Sequence, residues 1–239
     1  MSRTPSVVTP KVVGGKPVPN GRYKFQAALL AQSFGNDDFQ RQVPLSDLRV
    51  VVGRTVLTST QGQKRRVAAI DIHPRWDPVN FSFDVAVVHL ASAINGIKPI
   101  MLVTPGADAL ERPGTLATVT GWGNTIARPV GPEPGRIHYP DRMQEPQVPI
   151  VSRPECQTVY GNAGAPIDAT MLCAGRTNLD TCQGDSGGPL FFKAVGGGFI
   201  QAGITSWGNG CGATGWPGVY TRLGNKGGTS SSRSPGAYR

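Results

Sequence analysis

The residues with the clearest chemical content are Asp180-Thr181-Cys182-Gln183-Gly184-Asp185-Ser186-Gly187-Gly188-Pro189. One serine sits among three glycines. Glycine lets the backbone turn sharply and leaves N–H groups uncrowded by Cβ atoms. N–H groups aimed at one point stabilise an oxyanion, and losing one such donor costs about 2.7–4 kcal/mol in measured cases. The chemistry on offer is therefore acyl transfer through the Ser186 hydroxyl. The block also fits the loose G-x-S-x-G elbow of α/β-hydrolases, which runs into a helix and is followed by a histidine. Gly187-Gly188-Pro189 breaks helices, and His73, His89 and His138 all precede Ser186, so that elbow is rejected.

Short strands must hold this turn. The 239 residues include 32 Gly and 21 Pro, placed between short apolar runs, a pattern of strands joined by turns. Strands are expected at 23–32, 48–57 (with a bulge at Gly53), 66–72, 84–90, 116–122, 147–151, 171–174, 189–193, 199–207 and 218–222. The expected architecture is all-β, two barrels or sandwiches joined near 124–146. Residues 1–11 read as a leader, and 224–239, rich in Gly and Ser, as a disordered tail.

The net charge is +9. Apart from Lys64-Arg65-Arg66 the basic residues are scattered, with no interleaved aromatic platform, so neither a nucleic-acid nor a membrane partner is expected. No run reaches the roughly 18 apolar residues of a membrane helix. The cysteines, Cys156, Cys173, Cys182 and Cys211, contain no C-x-x-C pair, which argues against zinc. Neither a metal nor a cofactor is expected. An even cysteine count in a Gly-rich β region reads as two disulfides and an oxidising compartment, with three pairings open. The first ten residues lack an export-signal core.

The Ser186 block resembles the active-serine motif of the trypsin-like serine proteases, and the resemblance runs through most of 12–222. It implies two antiparallel β-barrels of the chymotrypsin type: 12–123, an inter-barrel loop 124–146, and 147–223 carrying the serine. Ser186 is implied as nucleophile, with the Gly184 and Ser186 N–H groups as oxyanion hole. Asp84, opening Asp84-Val85-Ala86-Val87-Val88-His89-Leu90, resembles the aspartate of the family's catalytic triad. Lys11-Val12-Val13-Gly14-Gly15 resembles the activation junction: cleavage after Lys11 frees the Val12 amine to pair with Asp185. Asp180 resembles the floor of a pocket for Arg or Lys, with Ser206-Trp207-Gly208 and Gly218 as its walls. The pairing implied is Cys156–Cys173 and Cys182–Cys211. Secretion, a zymogen form, peptide or protein substrates and protease inhibitors as partners follow from the same resemblance.

One part of the pattern is not found. The family's general base is a histidine in an A-A-H-C motif before the triad aspartate. Here Phe39-Gln40-Arg41-Gln42 runs straight into Val43-Pro44-Leu45-Ser46-Asp47-Leu48-Arg49-Val50, and both flanks resemble the family. Two strands of about 5–6 residues are expected to be missing, leaving the first barrel open with exposed apolar surface. His89 is five residues past Asp84, on the opposite strand face and about 16 Å along the chain. His73 precedes Pro74 and His138 sits in a Pro/Gly-rich loop. A serine without a base is a poor nucleophile. The expectation is a protease by family whose chain is severely impaired, or a pseudoprotease that binds basic peptides through Asp180.

Overall fold

The computed structural model describes residues 12–31, 44–131 and 136–225. Within them lie thirteen strands and one α-helix. The strands are β1 (Lys16–Pro17), β2 (Ala27–Ala31), β3 (Leu48–Val52), β4 (Gln63–Ile72), β5 (Ala86–Leu90), β6 (Met101–Leu102), β7 (Leu116–Val119), β8 (Gln144–Glu145), β9 (Gln147–Val151), β10 (Met171–Ala174), β11 (Pro189–Lys193), β12 (Phe199–Trp207) and β13 (Gly218–Arg222). The helix, α1, spans Arg153–Gly161 between β9 and β10.

Six strands close on themselves in the order β11-β7-β9-β10-β13-β12, β12 returning to β11; β6 lies parallel along the outside of β12. This is the closed antiparallel barrel of an all-β fold. Closure removes sheet edges and lets inward side chains fill a dry interior. Ala117, Val119, Val148, Ile150, Leu190, Ala202 and Tyr220 supply that core and are buried. β7 precedes residue 124 yet pairs with β9 and β11, so the barrel draws one strand from the N-terminal side of the connection. Within that connection, Gln144–Glu145 forms β8, paired with β1.

The N-terminal half forms a four-stranded antiparallel sheet, β2-β3-β4-β5. Val50, Val51, Val67 and Phe83 are buried, whereas Leu29, Ile72 and Val87 are exposed. The Phe39–Gln42 flank and Val43 lie outside the described residues, as do the leader 1–11 and the tail beyond 225.

Local chemistry explains where elements begin and end. Gly53 takes φ +83°, so β3 stops at Val52 rather than continuing through a bulge to residue 57. The segment 23–32 forms a strand only from Ala27, because Tyr23 and Phe25 turn into an aromatic cluster with Phe191 and Phe199. The helix α1 was not anticipated, yet its start is written in Ser152-Arg153-Pro154-Glu155: the Ser152 hydroxyl accepts from the Glu155 N–H at 3.3 Å, with Pro in the first turn, as helix N-termini prefer.

Candidate active site

Ser186 stands in the turn that leads into β11. Its side chain is exposed, while Asp185 beside it is buried. Gly184 and Gly187 take φ +91° and +78°, a region that L residues with a Cβ rarely enter. The turn is fixed by backbone bonds: Gly187 N–H donates to Thr205 O at 2.9 Å, Thr205 N–H to Gly188 O at 2.8 Å, and Asn124 N–H to Gln183 O at 2.8 Å. Gly188 must be glycine, since a Cβ there would lie 2.7 Å from Asp185 O. Among the described residues, neither the Gly184 nor the Ser186 N–H has an acceptor.

Asp185 turns inward. Its Oδ1 accepts from Gly123 N–H at 2.8 Å and its Oδ2 from Cys182 N–H at 3.0 Å. Burial pushes its pKa up to about 6 against those two bonds. It forms no ion pair among the described residues. Val13 packs against Cys182 and Cys211, and its carbonyl accepts from Asp180 N–H at 3.3 Å. Gly14 is threaded so tightly that a Cβ would meet Asn178 O at 2.3 Å. Lys11 lies outside the described residues.

Asp180 is buried at 3 % exposure. Thr181 N–H donates to its Oδ1 at 2.8 Å and Gly212 N–H to its Oδ2 at 3.0 Å. Burial drives its pKa up to about 7, and the neighbouring Asp185 charge adds to the rise. Gly218 and Gly175 flank it, their Cβ positions lying 2.5 and 3.3 Å from Asp180 Oδ1, and Gly208 stands against Gly218, a Gly208 Cβ position lying 3.7 Å from the Gly218 Cα. Behind them Tyr160, on α1, donates to Pro217 O at 2.6 Å and packs edge-on to Trp207 and Trp216. The disulfides are Cys156–Cys173, joining α1 to β10, and Cys182–Cys211, joining the serine turn to the loop that holds Asp180.

Asp84 arrives from the other half, just before β5. Ser206 Oγ donates to its Oδ2 at 2.5 Å, and Thr221 Oγ1 to its backbone carbonyl at 2.5 Å. Ser206, expected only as pocket wall, thus also holds this carboxylate. The imidazoles make contacts elsewhere. His89 Nε2 bonds Asp71 at 2.9 Å. His138 Nδ1 bonds Thr125 Oγ1 at 2.9 Å. His73 stacks on Phe83 at 4.7 Å and its Nδ1 accepts from Arg75 N–H at 3.2 Å.

Sequence reasoning missed Tyr160, Tyr220 and Thr221. Tyr220 is fully buried and shares a bond with Thr181 Oγ1 at 3.1 Å. Its signal was a polar-tipped aromatic next to Val219 in a short strand, a residue type that seeks a partner when buried.

A closed six-stranded barrel beside an antiparallel sheet, with a Gly-Asp-Ser-Gly-Gly turn at their junction, defines the class of chymotrypsin-fold serine proteases. The Trypsin family model matches residues 37–225. A trypsin from Saccharopolyspora erythraea is 39 % identical over 181 residues, 75 % of this chain and 72 % of that protein. Trypsin 5G1 of Aedes aegypti is 33 % identical over 233 residues, 89 % of this chain and 81 % of that one. Serine proteinase stubble of Drosophila melanogaster is 34 % identical over 244 residues, where the chain spans 30 % of a much longer protein. The chain belongs to the trypsin family.

Proposed function

We propose that this chain carries the substrate pocket and nucleophile of a peptidase that cuts after Arg or Lys, but turns substrate over very slowly. Ser186 is the nucleophile, and the Gly184 and Ser186 N–H groups receive the oxyanion. Asp84 is the acid that would orient and stabilise a protonated base. The observation that carries the specificity is Asp180, a buried carboxylate flanked by two glycines. A cationic side chain entering there favours the ionised form of that carboxylate and pairs with it in a low dielectric, where opposite charges gain most. Trp207 and Gly208 supply the wall along which a peptide runs. The Val12 amine, once freed by cleavage after Lys11, pairs with Asp185; the tight seating of Val13 and Gly14 supports this.

The impairment rests on the general base. The sequence passes from Gln42 to Val43 without an A-A-H-C segment, and the named contacts of His73, His89 and His138 are with groups other than Asp84 and Ser186. With one triad member gone, known enzymes keep roughly 10³–10⁴-fold acceleration over water. The test is to cleave the purified chain after Lys11 and supply an arginine ester and a fluorophosphonate probe. Slow ester turnover is expected, and brisk turnover overturns the impairment.

A second reading is favoured by the same buried Asp180: a pseudoprotease that binds basic peptides without cutting them. Benzamidine binding without turnover supports it. The two disulfides support export to an oxidising compartment.

A further inference from the structure

The segment that delivers Asp84 is under backbone strain. Phe81 and Phe83 take φ +58° and +54°, and for bulky residues this is a sparsely populated region that persists only where surroundings enforce it. Between them, Ser82 Oγ donates to Asp168 Oδ2 at 2.5 Å. The Phe83 N–H donates to Thr170 Oγ1 at 3.3 Å. Thr170 Oγ1 and N–H both donate to Asp168 Oδ1, at 2.6 and 2.7 Å. A single carboxylate on the turn before β10 therefore organises two bonds into the strained loop of the opposite half.

Phe81, on the free side of this loop, stands 5.9 Å from Trp207 and 5.9 Å from Trp76. Phe83, on the other side, is buried beneath the stacked His73 ring with the Arg75 guanidinium 4.1 Å from its centroid. The Asp77 N–H also donates to Ser82 O at 3.1 Å, so the Asp168 bonds fix the far side of a turn already closed at Ser82.

We propose that Asp168 is a positioning residue: through Ser82 and Thr170 it pins the strained 81–83 turn, and so sets how an extended peptide is held between Phe81 and Trp207. This rests on the reading of Asp180 as a pocket for a cationic side chain. Asp168 itself touches no substrate, and its effect is on ligands that extend beyond that pocket.

Two ligands separate the roles. Benzamidine fills only the Asp180 pocket, whereas acetyl-Phe-Ala-Arg amide also reaches the Phe81–Trp207 face. Ser82→Ala leaves the Asp168–Thr170 turn and its bond to the Phe83 N–H intact and removes only the Ser82–Asp168 link. It is expected to weaken tripeptide binding by tenfold or more while changing benzamidine affinity by less than twofold. Asp168→Ala is expected to do the same, and Ser82→Thr, which keeps the hydroxyl, to restore the tripeptide. Unchanged tripeptide affinity in Ser82→Ala, or equal loss of both ligands in a folded variant, overturns the pin. Failure of benzamidine to bind the unaltered chain rejects the pocket reading instead.

Discussion

A Cβ on Gly218 would stand 2.5 Å from Asp180 Oδ1. No real Cβ sits that near an oxygen, so even alanine must displace the carboxylate or the strand that carries residue 218. Gly218→Ala is therefore expected to weaken benzamidine binding by at least tenfold, measured by calorimetry. Gly196→Ala, at a hairpin tip where a Cβ meets nothing within 4 Å, serves as the control and leaves affinity unchanged. Equal affinity in both variants would remove Gly218 from the pocket.

The state of Asp180 sets a pH dependence for ligands. Burial raises its pKa to about 7, and a cation binds to the ionised form. Below that pH, each unit lost should weaken benzamidine about tenfold as the proton competes. Above it affinity is flat. Asp180→Asn should abolish both the binding and its pH slope. An affinity independent of pH between 5 and 8 contradicts this assignment.

The same two buried acids shape stability. In the unfolded chain their carboxyls titrate near 4, while in the folded protein Asp185 holds its proton to about 6 and Asp180 to about 7. Between these limits the folded state binds more protons, so stability falls as pH rises and then levels off. Urea midpoints are expected to drop from pH 4.5 to 7.5, the unfolding free energy falling by an amount on the order of a few kcal/mol. A midpoint that climbs over this window would mean that both carboxylates are compensated in the folded chain.

The disulfides should have separable effects. Cys182–Cys211 closes 29 residues and Cys156–Cys173 closes 17, so each is worth roughly 3–4 kcal/mol by loop entropy. Only the former lies beside the Gly212 N–H that holds Asp180 Oδ2. Replacing both of its cysteines by alanine is expected to lower stability and benzamidine affinity together. The Cys156/Cys173 double variant should lose comparable stability with affinity intact. Parallel effects on affinity would refute a special tie between Cys182–Cys211 and the pocket.

The later strands were readable from alternation and turn residues: 147–151, 171–174, 189–193, 199–207 and 218–222 begin and end where expected, because their inward faces are specified by one closed core. The earlier ones were less so. The segment 116–122 stops being a strand at Val119, where Thr120 Oγ1 turns to Gln26 and the chain bends to bring Gly121 and Gly123 against Asp185. The two-residue strands β1, β6 and β8 carry no periodicity to detect, since their pairing is imposed by distant partners. At the site, the Ser186 block stood out by local motif, and Asp180 and Asp84 through the family resemblance that block carries. Asp168 and Thr221 did not, because their importance comes from contacts 86 and 137 residues away in sequence, which spacing along the chain cannot reveal.

All six staves of the closed barrel come from β7 to β13, so the serine turn and the cation pocket ride on one rigid frame. Asp84 is a visitor to that frame, received by two hydroxyls, Ser206 at its carboxylate and Thr221 at its backbone carbonyl. Injury to the β2–β5 sheet should therefore surface as slippage of a single guest residue at the seam, while recognition of the basic side chain survives.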